Sequence, residues 1–193
     1  KAPVSVQIMA QEMYIDIPHV EIGAISEESG IPVLESRHSR VSMYGAALNL
    51  VVDNYVFKAE GAFFKGFEFF NAPGEKFDRL DLLGGVEYYG FKHTTLIFEI
   101  VNRHTFDFKK PLKMLPDYAI EDELQWIFRL ERNFLNDKLQ LTLFTSTFDF
   151  KGEDGNFQRV SAEYALTDAI KIKGGIVFYE SGDLFLFNDI GDN

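Results

Sequence analysis

The stretch YGAALNLVVDNYVFKAEGAFF, Tyr44 to Phe64, decides how this chain folds. Around Asp53 and Asn54 the apolar residues fall at every second position, with Leu48 and Leu50 before the pair and Tyr55, Phe57 and Ala59 after it. A period of two puts successive side chains on opposite faces of a strand, and Asp-Asn accepts the backbone of a two-residue hairpin turn. Folding the stretch about that turn sets Leu50 against Phe57, Leu48 against Ala59 and Tyr44 against Phe63. The other face then pairs Asn49 with Lys58 and Ala47 with Glu60. A slip of one residue would send each side chain to the wrong face, so the segregation itself fixes the register.

The same pattern recurs along the chain. In KLQLTLFTSTFDF, Lys138 to Phe150, Leu139, Leu141 and Leu143 share one side while Gln140, Thr142 and Ser146 share the other. A four-residue loop at Asn133 to Asn136 is expected to set Leu130 against Leu139, with Glu131 beside Lys138. A three-residue loop at Thr167 to Ala169 pairs Leu166 with Ile170, Tyr164 with Ile172 and Glu163 with Lys173. Nine strands are predicted, over 4 to 14, 40 to 52, 55 to 66, 79 to 90, 95 to 106, 123 to 132, 138 to 149, 158 to 166 and 170 to 180. The sixth, DELQWIFRLER, has the acidic start and basic end that also suit an amphipathic helix, and is read as a strand. Connections after the odd strands of this series are long or polar, and those after the even ones are tight turns. The expected fold is all-β: one domain over residues 1–193, an antiparallel up-and-down meander forming a transmembrane β-barrel or part of one.

Composition narrows the setting of this sheet. With 193 residues, 46% hydrophobic and 15% aromatic, the chain is not a disordered one. A formal charge of -11 and the lack of any Lys/Arg-rich run exclude a nucleic-acid partner, which needs a basic surface. The absence of cysteine removes disulfides, thiolate metal sites and cysteine nucleophiles. No run approaches the roughly 18 to 20 apolar residues of a spanning helix, whereas a spanning strand needs only about 9 to 11, half of them polar.

The two faces then suggest which side meets lipid. The residues that build the apolar face, such as Leu48, Leu50, Phe98 and Leu141, carry no charge, and the opposite face carries Lys58, Glu60, Asp81, Glu87, Glu99, Arg103, Arg129, Glu131, Arg159, Glu163, Lys171 and Lys173, expected to line a lumen. Aromatic residues gather toward strand ends, and Tyr55, Phe57, Phe63, Tyr88, Trp126, Phe148, Tyr164 and Phe178 are expected at the membrane interfaces. A strand of about ten residues tilted by about 45° spans roughly 23 Å, close to the apolar band of an outer membrane. The sorting of short turns to one end and long loops to the other is a second mark of such barrels.

Little in the sequence asks for chemistry. His19, His38, His93 and His104 fall in different connections without metal-ligand spacing, so no metal is expected. The acidic loops GEDGN and NDIGDN read as turns, and the paired glycines of LLGGVEYYG as small residues that ease packing. Glu60, Glu87, Glu99 and Glu163 read as lumen carboxylates paired with Lys and Arg, not as acid/base catalysts. A lipid-acting enzyme would need a Ser and a His facing outward near one interface, and nothing in the sequence brings Ser146 and His104 together. No catalytic residue and no cofactor is expected.

The runs VSVQIMAQ, RVSMYGAALNLVVDNYVFKAEGAFFKG, DLLGGVEYYGFKHTTLIFEIVNRH and FNDIGDN together resemble the C-terminal half of a domain-of-unknown-function family of porin-like bacterial outer-membrane proteins. The resemblance covers nearly the whole chain. It implies that preceding strands and one final strand, ending in an aromatic residue, lie outside this sequence, which is then a piece of a larger barrel. The expected function is an outer-membrane porin-like channel or structural barrel with a charged lumen, its partners being outer-membrane lipid and further barrel strands or a partner protein. A soluble β-barrel binding a hydrophobic ligand is the alternative, and an outer-membrane lipid-acting enzyme the second.

Overall fold

The structure, a computed structural model, describes residues 3–16, 19–25, 31–188 and 190, with the backbone alone at Ile22 and Leu186. Of the FNDIGDN ending, Asp189 and residues 191–193 therefore lie outside the described residues.

Nine strands form one antiparallel sheet: β1 (Val4–Tyr14), β4 (Arg40–Val52), β5 (Tyr55–Phe67), β6 (Phe77–Tyr88), β7 (Thr94–Thr105), β8 (Asp122–Phe134), β9 (Leu139–Phe148), β10 (Asn156–Ala165) and β11 (Lys171–Glu180). β2 (His19–Ile25) and β3 (Pro32–Arg37) make a separate hairpin between β1 and β4, within a connection that sequence reading left without strands. Its turn signal is weak, because the alternation on either side of it is short. The sequence DELQWIFRLER is strand, paired on both sides, since its neighbours supply two edges for its backbone.

The register follows the alternation. Leu50 faces Phe57, Asn49 faces Lys58 and Tyr44 faces Phe63, with Asp53 at φ +51 in the turn. Tyr164 faces Ile172 and Glu163 faces Lys173. The expectation for β8 and β9 is corrected: Leu130 faces Leu143, and Glu131 faces Thr142, because β8 runs on through Phe134 and pairs it with Leu139. The turn is Leu135 to Lys138, closed by the Lys138 N–H donating to the Leu135 carbonyl, with Leu135, Asn136 and Asp137 all at positive φ. Asn and Asp tolerate that region best among residues with side chains. The displacement is even, so every side chain keeps its expected face.

Neighbouring strands meet at one end through tight turns and at the other through longer connections. The buried cluster sits at the long-connection end, where Val41, Phe67 and Phe77 of the sheet pack with Ala72 and Leu112 of the connections. A bulge at Gly66 builds it. Gly66 has φ +105 and its missing Cβ would lie 3.2 Å from the Arg40 carbonyl oxygen, so a side chain here is doubly disfavoured. The bulge shifts the register so that Phe67 faces Phe77 on the charged face.

The sheet is open. β1 and β11 are its edges, and nearly every residue of both is exposed on either face. Both edge strands run toward the long-connection end, as the alternation of nine antiparallel strands requires. Among the described residues no helix is long and apolar enough to cross a membrane, which says nothing of strands.

Candidate functional site

The alternation that defines the strands also sorts their chemistry onto two faces. All twelve charged residues expected on one face share it, as their row partners show: Lys58 lies in a row with Gly85 and Glu99, and Asp81 with Arg103 and Glu123. On strands β5 to β8 they form two networks of alternating sign. In the first, the Lys58 ammonium pairs with Glu87 and lies 4.0 Å from Glu99. Gly85 stands between Lys58 and Glu99 in their row, and a Cβ there would come within 3.0 Å of Glu99 Cγ. In the second, Arg79 grips both oxygens of Asp81 at 2.7 and 3.0 Å, and Arg103 bridges Asp81, at 3.9 Å, to Glu123. The Arg79 guanidinium also lies over the rings of Phe64 and Phe67, 5.1 and 4.6 Å from their centres.

Further pairs continue this face: Arg129 with Glu131, and Glu163 with Lys171 at 2.8 Å. Arg159 instead lies over the Phe144 ring at 5.6 Å. Three members escaped sequence reading. Arg79 and Glu123 follow the same period of two and are the first residues of the expected strands 79 to 90 and 123 to 132. Tyr89 lies past the end of β6, and its hydroxyl donates to Glu87. That hydrogen bond, reinforced by burial and by the carboxylate charge, pushes the phenol up to about 12. Beside it a hollow of about 240 Å³ opens at the short-turn end, lined by Tyr89, Phe91, Glu131, Asn133 and Gln140 among others.

The opposite face is apolar. Across it run Val6 and Ile8 of β1, Leu48 and Leu50 of β4, and so on to Ile172 and Ile176 of β11. Charged residues of that face stand only at its rims, with Glu12, Arg40, Lys65, Asp78, Asp122 and Glu180 at the long-connection end and Arg132 at the other. Seven of the eight expected interface aromatics lie here: Tyr55, Phe57, Tyr88 and Tyr164 toward the short turns, and Phe63, Trp126 and Phe178 toward the long connections. Tyr55 and Tyr88 pack with ring centres 4.7 Å apart. Phe148 is the exception, and its assignment is corrected. It faces Gln125 on the charged side and packs against Phe187 at 5.3 Å, because an even position on β9 cannot share a face with Leu141.

Exposure divides the faces in the opposite sense to a soluble protein. Ser146, Ser161, Thr105, Glu87, Val41 and Met43, all on the charged face, are buried. On the apolar face Ile8 is 83% exposed and Ile176 61%. Eight interstrand gaps of about 4.8 Å and a band of roughly 23 Å make that face on the order of 900 Å². A soluble monomer seldom leaves a contiguous apolar patch of more than a few hundred Å² in water.

Among the described residues the Ser and His expected as a possible pair are not brought together. Ser146 and His104 lie on opposite faces, the former bonded to Gln125 at 2.8 Å and the latter to Asp122 at 2.8 Å. Ser39, His19 and Glu21 do form a row, with gaps of 3.3 and 3.2 Å. Ser39 is only 3% exposed and its hydroxyl accepts the Glu68 N–H, so the row ties the β2–β3 hairpin to the connection after β5. Among the described residues no group of His, Asp and Glu side chains is arranged to hold a metal ion. Comparison of the chain with protein-family models, with curated proteins and with solved structures gave no match.

Proposed function

We propose that this chain forms part of the wall of a bacterial outer-membrane β-barrel, a porin-like channel or structural barrel whose apolar face meets lipid and whose charged face lines the interior. The observation that carries the reading is the exposed apolar face, continuous over nine strands, set against a charged face that is the more buried of the two. Lipid is the solvent in which that division is stable, and rim charges with aromatic residues at both edges suit the two headgroup regions. Ion pairing on the inner face keeps its charges in step with a partly hydrated lumen.

Closure has a condition that the strand directions impose. β1 and β11 run the same way, so joining them directly would make a parallel pair. An all-antiparallel barrel therefore needs an odd number of further strands between the two edges, and an even total. In this reading the lumen-facing side chains are Lys58, Arg79, Asp81, Glu87, Glu99, Arg103 and their ion-pair partners, and no residue is a catalyst.

The soluble alternative would turn the apolar face inward around a ligand, which sets the buried serines and Glu87 on its outer surface. Two measurements separate the readings. Purified without detergent, the chain precipitates if the apolar face meets lipid and stays monodisperse if it encloses a ligand. A spin label at Leu141 should be relaxed by oxygen dissolved in lipid and shielded from a water-soluble nickel reagent, with the reverse at Gln140. Shielding of Leu141 from both reagents would place it in a packed protein core and remove the membrane assignment.

A further inference from the structure

Granting the lumen reading, we infer that the mouth at the long-connection end carries a two-part cap, latched where Tyr118 stacks on Phe185. The first part is the connection from Phe106 to Glu121, folded back over the charged face. Its root is Leu112, 0% exposed among Val41, Phe67, Ala72 and Phe77. The Asp117 carboxylate accepts the N–H groups of Phe70 and Asn71 at 2.9 and 2.8 Å, which fixes this part to the connection after β5.

The second part is residues 181–188, which follow β11. It turns back over the loop between β9 and β10, where the Asp183 N–H donates to the Glu153 carbonyl at 3.0 Å. Its root is Phe187, 6% exposed, packed on Phe148 of the charged face and against Gly155. Gly155 has φ +110, and a Cβ there would lie 2.4 Å from Phe187 Cγ, so only glycine admits the ring. Both roots stand on the charged face, one over β4 to β6 and the other over β9 and β10.

Between them the rings of Tyr118 and Phe185 lie 4.1 Å apart at 16°. Both roots are buried, whereas Phe185 at the seam is 53% exposed. Tyr118 holds its ring there from a backbone at φ +46, a region a bulky residue avoids unless something holds it. A single stacked pair favours the joined state by roughly two- to ten-fold. The seam is thus the weak line of the cap, and its parting opens the mouth while both roots stay seated.

These 193 residues include no cysteine, so Tyr118→Cys with Phe185→Cys supplies two thiols, and any cysteine elsewhere in the full-length protein is replaced by serine. The full-length double variant is placed in liposomes and treated with a short bifunctional methanethiosulfonate, and uptake of a small neutral sugar, arabinose, is followed. Linking should slow uptake at least ten-fold and dithiothreitol should restore it, while Tyr118→Ala should raise uptake several-fold above the native chain. Unchanged uptake in protein shown to be linked, or failure of the two thiols to link in the folded protein, overturns the latch and leaves the lumen reading standing. No uptake by the native protein or by Tyr118→Ala overturns the latch together with the channel form of the lumen reading.

Discussion

Asp117 and Asn71 secure each other's loops. The Asp117 carboxylate accepts the Asn71 backbone N–H at 2.8 Å, and the Asn71 side chain donates in return to the carbonyls of Met114 and Leu115 at 3.0 and 3.1 Å. Hydrogen bonds to a charged group contribute about 1.5 to 3 kcal/mol, neutral ones about 1. Asp117→Ala should therefore cost roughly twice what Asn71→Ala does, read as the shift in urea unfolding free energy. Equal and negligible losses would mean that the two connections are held by Leu112 alone.

Adjacent glycines on β6 should behave differently. A methyl at Gly84 would meet Ile100 at an ordinary 3.8 Å, whereas one at Gly85 would press on Glu99 at 3.0 Å and on the Phe98 carbonyl at 3.4 Å. Gly84→Ala should be neutral or stabilising by about 0.5 kcal/mol, since alanine has less backbone freedom to lose. Gly85→Ala should destabilise and disturb the Lys58 network, which a matched pair of unfolding curves would reveal; the reverse order contradicts the row geometry.

The phenol of Tyr89 titrates late. Its raised value means that the folded state holds the proton more tightly, so the stability this contact adds is complete below pH 10 and is lost as pH rises through about 12. Ultraviolet difference spectra of the native chain and of Glu87→Gln should show one tyrosine moving to lower pH in the variant. Superimposable titrations would break the link between Tyr89 and Glu87.

Asp154 is held above the usual carboxylate range, chiefly by burial and then by the charges of Asp149 and Asp183. A raised carboxyl favours the folded state while protonated, so its contribution is present below pH 3.8 and is lost as pH rises through the raised value. Asp154→Asn should raise the unfolding midpoint at neutral pH and make no difference below pH 3.8. A midpoint lowered at neutral pH would show that the ionised carboxylate has a favourable role in the loop.

If the apolar face meets lipid as proposed, arginine near the middle of its band, Phe98→Arg, Leu141→Arg or Ile172→Arg, should cost roughly 2 to 4 kcal/mol of folding free energy in bilayers, and Gln140→Arg almost nothing. A penalty at Gln140 as large as at Leu141 would mean that both faces are dry.

The sheet could be read from the chain almost strand for strand because its information is local: a period of two, and turn residues such as Asp53 and Thr167 whose chemistry fixes how neighbours align. Thr167 accepts the N–H groups of Ala169 and Ile170 through its hydroxyl, a closure visible in its spacing alone. What escaped was non-local. Nothing around Leu112 or Phe187 reveals that each ends up buried against the charged face, since their partners lie far away in sequence. Phe148 was misplaced although its face is legible locally, since an even position on β9 lies opposite Leu141; only its cover by Phe187 is non-local. The charged face was legible by residue but not by pairing, because which carboxylate Arg103 or Lys58 selects depends on side-chain reach across rows.

Every pairing in the nine-stranded sheet joins strands that follow one another, except β1 with β4, whose intervening chain is itself drawn together by the β2–β3 hairpin. Such a chain has low contact order for a β protein, and closing each tight turn costs little entropy. Assembly can then advance as a zipper, each finished hairpin presenting a free edge on which the next strand forms. In the proposed barrel the one step this order cannot supply is closure, in which the β1 and β11 edges are brought together through the further strands that stand between them. In a barrel built this way the slow step is closure, and substitutions along β1 or β11 should alter its rate while leaving the zippering of the interior strands untouched.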